Sequence, residues 1–390
     1  MKKNLTSWIT ILTFFGCLTA VLVLSLLLPD HTASPTENRA LAQRPVMDFS
    51  DLSALTQDFS DYVVDQFPGR ERLLKVYTAL ELAQDKFRIR NVTRTDDDIL
   101  LPESSPLTNV QYFSWDVNAA TSAHPEIDFV YALLPTKGYL LGGLSPYADG
   151  ETDATNRETL LSVFPKIRGL DYIDAAGYLH DNYTLGERQD MFYRTDFHWN
   201  FHGAFTAAEY IGRELEARGF LNGATAPTAE DFVRTEYAQS FLGDLNRRFS
   251  YLISTQEDIP YYALRDTSQL RYYLSIDNSQ PVERNTILGS ELGADELSYN
   301  GLSTYNLGFY RIENPNARSN RHVIIFKDSY QNPTTDYFSA LFAQVTVIDP
   351  RYYDEAITFS ELLEQTGTDL VLFLYNQNNA SVELREFLTR

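Results

Sequence analysis

The sequence predicts an α/β protein with a parallel central sheet. Three observations carry that expectation. Four short apolar runs, at Asp128–Leu134, Val323–Phe326, Gln344–Ile348 and Asp369–Tyr375, are nearly uninterrupted, as strands buried on both faces are. Helical patterns separate the last three, giving a β-α-β-α-β series whose parallel strands require right-handed crossovers. Polar residues with chemical capability stand just past the strand ends, where open α/β sheets place their ligands.

The 390-residue chain opens with Lys2 and Lys3, and residues 8–28 are then apolar apart from four hydroxyl residues. A run of about twenty apolar residues can span a bilayer as a helix. Lysines before it and Asp30 after it place residues 1–7 in the cytoplasm and everything after Pro29 outside. A cleaved signal peptide is a rival reading, but Leu26-Leu27-Leu28-Pro29-Asp30 offers no small-residue cleavage site. Lipid modification of Cys17 is a third, weakened because the apolar run continues past it. The favoured reading is an uncleaved anchor, a tether over 29–50 with Pro35 and Pro45, and a folded domain over 51–390.

Within that domain, Leu52, Leu55, Phe59, Tyr62 and Val63 recur at helical spacing from Asp51 to Asp65. A second helix is expected from Arg70 to about Phe87. Residues 93–105 read as a polar loop or short hairpin. Asp96-Asp97-Asp98 lacks the alternate ligands and glycine of a calcium loop. After the strand at 128–134 come a helix at about 154–166, a strand at 170–174, and a helix running to about Arg218. Residues 222–318 carry aromatic clusters and turn signals, among them Asp277-Asn278-Ser279. They read as a β-rich insertion of short antiparallel strands, placed to wall a cleft. Helices are expected at about 332–342, 359–365 and 382–388.

The chemistry gathers at Tyr193-Arg194-Thr195-Asp196-Phe197-His198-Trp199-Asn200, at the mouth of a helix. In an extended turn, residues i and i+2 point to the same side. Asp196 can then bind Nδ1 of His198 and leave Nε2 free as a base. The nucleophile such a pair lacks is Ser329, between the strand at 323–326 and the next helix, with its N–H in the helix N-terminal field. The bland readings are a helix cap for Ser329 and a hydrogen-bonded core histidine for His198. His202 shares a helix face with His198, but no third ligand is apparent, so packing is preferred to metal binding. Lys137, past the end of the first strand, is either a ligand contact or an ordinary surface lysine.

Asp196-Phe197-His198-Trp199 with Gly203-Ala204, and Lys327-Asp328-Ser329-Tyr330 downstream, resemble the DHHW proteins. These are bacterial surface proteins of the SGNH/GDSL hydrolase superfamily, related to the alginate acetylation proteins AlgJ and AlgX. Glu37-Asn38-Arg39, Asp65-Gln66-Phe67-Pro68-Gly69-Arg70, Pro135-Thr136-Lys137 and Ile348-Asp349-Pro350-Arg351-Tyr352 agree in order, so the resemblance covers roughly residues 37–390. It implies a three-layer α/β/α SGNH-like fold and a serine-dependent O-acetyltransferase of a cell-surface or secreted polysaccharide. Ser329, His198 and Asp196 would be the triad. Asn376 would be the oxyanion asparagine, with Asn378 as fallback. Tyr330, Arg351 and Lys137 would contact substrate. Phe197 replaces the first histidine of the family's name, and Lys327 the glycine of the superfamily's Gly-Asp-Ser. The implied partner is a membrane-bound O-acyltransferase that carries acetyl groups across the membrane. An acetyl esterase and a non-catalytic polysaccharide-binding or assembly protein are the alternatives.

Composition sets limits. A net charge of −21 argues against nucleic acid or anionic lipid head groups as partners, since both require basic patches. The apolar fraction of 44% allows a sizeable core. One cysteine excludes an intrachain disulfide and gives, with scattered histidines, no zinc pattern. No cofactor or metal is expected.

Overall fold

The computed structural model describes all residues except 1, 38, 109, 149, 277–279, 290–295, 355–356, 380–387 and 389–390. The turn expected at 277–279 and the helix expected at 382–388, save for buried Leu388, lie outside the described residues. The chain divides into two compact units, residues 1–90 with 246–252, and residues 91–245 with 253–390.

The first unit holds the apolar helix α1 (Lys2–Leu27) and two shorter helices, α2 (Leu52–Asp65) and α3 (Arg70–Leu82). The α1 segment Thr6–Ser25 has a mean hydropathy of 2.1, and none of it is buried. Asp51 caps α2 by accepting from the Ser53 and Ala54 N–H groups, and left-handed Gly69 opens α3. α3 ends at Leu82, short of the expected Phe87. The segment expected as a free tether is instead bonded down. Residues 33–34 pair with 39–40, and Arg39 forms a bidentate pair with Asp65. Glu37 binds both Arg39 and Arg70. Thus the Glu37/Arg39 and Asp65/Arg70 motifs, far apart in sequence, are two halves of one ion-pair network. The Arg39 guanidinium holds the Asp65 carboxyl down to about 2.

The second unit is built on a seven-stranded sheet. Its elements in chain order are α4 (Val110–Ala123), β1 (Asp128–Leu134), α5 (Gly150–Val163), β2 (Leu170–Asp174) and α6 (Phe201–Ala217). Then come β3 (Phe232–Phe241), β4 (Gln256–Leu264), β5 (Arg271–Tyr273), β6 (Phe309–Glu313) and β7 (Ser319–Lys327). The series ends with α7 (Thr335–Leu341), β8 (Phe342–Ile348), α8 (Phe359–Thr366) and β9 (Leu370–Asn376). The sheet order is β5-β6-β8-β7-β9-β1-β2. The five strands from β8 to β2 are parallel, whereas β5 and β6 are antiparallel. The parallel sheet expected from sequence is therefore completed by two strands of the insertion. The rest of the insertion forms a separate sheet of β3, β4 and residues 296–297.

Alternation along each central strand feeds two cores, which makes three layers. Val130, Ala132, Ile325 and Leu372 face one side with Ala204, Ala208 and Ile211 of α6. Phe129, Tyr131, Phe326 and Phe373 face the other with Phe113 and Val117 of α4 and Leu362 of α8. Two helices depart from the expected bounds because of proline. Pro165 turns the end of the predicted 154–166 helix into a 3₁₀ turn, and α5 stops at Val163. Pro333 lacks an N–H and confines residues 329–334 to 3₁₀ geometry before α7 begins. The polar loop at 93–105 is a hairpin, with residues 92–94 paired to 100–102.

Leu372 is fully buried on β9, between β7 and β1. Leu372→Ala is expected to cost about 2–5 kcal/mol through lost burial and an incompletely collapsed cavity. Equilibrium denaturation monitored by intrinsic fluorescence measures it.

Candidate active site

The Asp196/His198 loop is anchored at its base before any chemistry is considered. Phe192 and Trp199 form an antiparallel bridge, and the Asn200 N–H donates to the Met191 carbonyl. Asn200 then caps α6, its Oδ1 accepting from the N–H groups of His202 and Gly203. Gly203 is required here, because a Cβ would stand 2.5 Å from the Met191 carbonyl oxygen.

Two buried charges hold the loop itself. Lys137 lies wholly inside, and its Nζ donates to the carbonyls of Tyr193 (2.7 Å), Arg194 (2.9 Å) and Asp196 (2.8 Å). Glu257, from β4, accepts from the N–H groups of Arg194 (2.8 Å) and Thr195 (3.0 Å) and from the Thr195 hydroxyl (2.9 Å). Burial pushes the pKa of Lys137 down and that of Glu257 up, and the opposite charge of each resists the shift of the other. Lys137 was expected at the surface or on a substrate. The structure corrects this, since all three donors of an ammonium are spent on the loop backbone.

Asp196 and His198 meet through a tight bend, not the extended turn expected. Asp196 Oδ1 accepts from the His198 N–H at 2.9 Å and lies 2.6 Å from Nδ1. Its Oδ2 accepts from the Asp244 N–H at 2.7 Å. Gly243 permits this approach, since a Cβ there would lie 2.2 Å from the Thr195 carbonyl oxygen. Asp196 is 2% exposed and His198 6%. His198 Nε2 stands 2.8 Å from Ser329 Oγ, and Ser329 is only partly buried. The three side chains thus form one continuous chain of hydrogen-bond contacts, open at the serine end.

The His198 ring is fixed on both faces. Tyr299 stacks on it at 3.7 Å between centroids and 4° between planes, and Phe197 lies at 3.9 Å. Phe197, which stands where the DHHW motif has its first histidine, therefore packs against the His198 ring. The Tyr299 hydroxyl donates to the Ser329 carbonyl at 2.6 Å, so the insertion does supply a wall of the site. Sequence reasoning missed Tyr299 and Glu257, because neither sits in a motif. Tyr330 is a strut and not a substrate contact: it is 3% exposed and its hydroxyl donates to the Phe197 carbonyl at 2.6 Å. Trp199 Nε1 returns a bond to the Tyr330 carbonyl at 2.8 Å.

The serine turn is braced by Asp328. Its buried carboxylate accepts from the N–H groups of Tyr330 and Asn376 and from the side-chain amides of Asn376 and Asn379. Burial pushes its pKa up, while these donors pull the other way. Asn376, expected as an oxyanion donor, is one of these supports. Its Nδ2 donates to Asp328 at 2.8 Å, and its Oδ1 accepts from the Asn378 N–H, so it supports the turn. Asn378 is spent on Ser104, Asp153 and Asn156. The Ser329 N–H is the first of its 3₁₀ segment, a position with no intrahelical partner. Lys327 is fully buried, bonded to Asn332 and 3.5 Å from Asp349, and burial lowers its pKa to about 8. Asp349 also clamps Arg351 through two bonds. The Arg351 side chain keeps 27% exposure, so of the three expected substrate residues it is the one that reaches solvent. His202 lies apart from this chain, with Nδ1 3.2 Å from the Tyr262 hydroxyl.

Residues 122–271 match the family model of the SGNH hydrolase-like domain of acetyltransferase AlgX. Among solved structures, PatB1 of Bacillus cereus is similar at 24% identity and TM-score 0.65, over 76% of this chain and 99% of that one. The same protein with a sulfonyl adduct gives 23% identity and TM-score 0.62, over 76% and 99%. A DHHW family protein from Eubacterium siraeum gives 20% identity and TM-score 0.58, over 76% of this chain and 94% of that one. No functionally curated protein matches the chain. The fold is SGNH-like, and the resemblance drawn from the Asp196–Trp199 and Lys327–Tyr330 motifs stands.

Lys137→Met would keep the volume and leave three buried carbonyls without a donor. It is expected to cost on the order of 3–5 kcal/mol in urea denaturation, as removal of one partner from a buried charge set does.

Proposed function

We propose that this chain is a membrane-anchored, extracytoplasmic O-acetyltransferase that modifies a cell-envelope polysaccharide through an acyl-enzyme on Ser329. The observation that carries the reading is the Asp196–His198–Ser329 chain, with contacts of 2.6 and 2.8 Å. Both distances fall within the reach that proton transfer requires. The match to an acetyltransferase domain supports acetyl as the group moved. The apolar helix α1 supports the anchor.

With Asp196 accepting a hydrogen bond from Nδ1–H, Nε2 of His198 accepts the Ser329 hydroxyl proton as Oγ attacks the acetyl carbonyl. The buried carboxylate stabilises the imidazolium that results. The Ser329 N–H, first of its 3₁₀ segment, is the donor assigned to the oxyanion. Collapse expels the donor's alkoxide, which takes the proton from Nε2 and leaves acetyl-Ser329. A sugar hydroxyl then gives its proton to Nε2 and attacks the acetyl ester. Collapse of that second intermediate returns the proton to Ser329 Oγ. Tyr299, stacked on the ring, keeps the imidazole in plane with both partners. Arg351, whose side chain keeps 27% exposure, is the residue assigned to a polar group of the polymer. The acetyl donor is a membrane-bound O-acyltransferase that delivers the group to the outer face.

Ser329→Ala is expected to remove transfer from an activated acetyl ester to an oligosaccharide by a factor on the order of 10⁶, with the fold retained. Intact-mass spectrometry should show an acetyl adduct on the native chain and none on the variant. Activity or an adduct that survives the substitution would end this reading. Asp196→Asn is expected to lower turnover by roughly 10⁴ through the wrong histidine tautomer.

A further inference from the structure

Helix α3 is inverted in polarity, and α2 exposes apolar residues beside its polar ones. In α3, Leu73, Val76, Tyr77 and Leu80 follow the i, i+3, i+4, i+7 spacing of one helix face. They are 55%, 57%, 58% and 57% exposed, while Thr78 and Glu81 are turned inward. In α2, Leu52, Phe59 and Val63 are exposed, and Tyr62 and Asp65 are the buried residues. Just before α2, Val46, Met47 and Phe49 are 87%, 62% and 72% exposed. So much apolar surface along one segment marks a surface that is covered in use.

The bonds of the first unit indicate what covers it. The Tyr62 hydroxyl donates to Asp30 Oδ1 at 2.9 Å, and the His31 N–H donates to Gln66 Oε1 at 2.8 Å. Gln66 Nε2 donates back to the His31 carbonyl. The corner between α2 and α3 is thus hydrogen-bonded to residues three and four positions past the end of α1. At about 3.5 Å per residue, that is within about 15 Å of the end of the span. This upper bound is about twice the polar layer of roughly 5–8 Å on each side of the hydrocarbon core, so the corner stands in the headgroups or just beyond them.

Charge points the same way. The first unit carries twelve basic and ten acidic residues, and the second twenty basic and forty-three acidic. The acid body is repelled by an anionic leaflet, whereas the first unit is not. Arg72 and Lys75, both exposed, flank the α3 stripe, the arrangement of a helix lying in a membrane interface.

We propose that the apolar face along residues 46–80 lies on the outer leaflet of the bilayer that holds α1, with Leu73, Val76, Tyr77 and Leu80 at the headgroup–acyl boundary. This rests on the reading of α1 as a membrane anchor. The anchor then joins a seated platform, in which the corner of α2 and α3 and the end of α1 form one mount.

The test uses the full chain in nanodiscs of phosphatidylcholine and phosphatidylglycerol, in a Cys17→Ser background. Single cysteines Val76→Cys, Leu80→Cys, Leu12→Cys in α1 and Glu158→Cys in α5 carry an environment-sensitive fluorophore. Quenchers are a doxyl group near the lipid headgroup and aqueous iodide. Labels at 76 and 80 should lose at least about twofold in intensity to the lipid quencher and resist iodide, with the reverse at 158. Iodide quenching at 76 and 80 equal to that at 158 would place the face in water and overturn the proposal. Shielding from iodide without lipid quenching would assign the face to a protein partner or second copy, and would equally overturn it. The label at 12 separates the two readings. If it is lipid-quenched in either failure, the anchor stands and only the docking falls. If it is not, the anchor reading falls as well.

Discussion

The site depends on one buried ammonium. Lys137 is the first residue after the Thr136 cap at the end of β1, and its Nζ gathers three carbonyls from a loop more than fifty residues later in the chain. Without it, a loop that turns inward would carry unpaired backbone oxygens in a dry interior. Glu257 performs the complementary task on the N–H side, so the loop is gripped by a cation and an anion at once. Such an arrangement is costly unless every donor and acceptor is satisfied. That requirement fixes the loop to one geometry, and Asp196 and His198 inherit it.

A second constraint acts on the serine. Asp328 could cap the turn with one bond, yet it gathers four donors, three of them from residues 376–379 at the end of β9. The serine turn is therefore referenced to a strand next to its own. Trp199, Tyr299 and Tyr330 carry bonds between the histidine side and the serine side. Ser329 and His198 come from distant stretches, and these rings bridge the two. The superfamily's glycine position, filled here by Lys327, is turned into the interior toward Asn332 and Asp349, away from the serine.

Much of this was legible in the residues. The strands at 128–134, 323–326 and 369–375 announce themselves by nearly uninterrupted apolar runs, and proximity of Ser329 to His198 followed from the motif resemblance. What was not legible has a physical cause in each case. Lys137 reads as exposed because a lone lysine carries no mark of the carbonyls it meets. The bond of Asn376 to Asp328 was hidden because sequence gives the strand end but not the rotamer. Glu257 and Tyr299 lie in a region with no motif, and only tertiary contact reveals them. The antiparallel edge was hidden because β5 is three residues long and β6 five, too short to declare a sheet.

That edge gives the insertion a role outside the site. β6 occupies the hydrogen-bonding side of β8 that would otherwise be open, and β5 in turn covers β6. β8 is buried on both faces, with Val345, Val347 and Ile348 fully buried. An apolar strand with an open edge is a template for pairing with another chain. A shortened protein from which residues 222–318 had been removed would thus lose a wall of its cleft and also gain an aggregation surface. The insertion guards the solubility of the sheet, and a minimal domain cannot be made by trimming it at its loops.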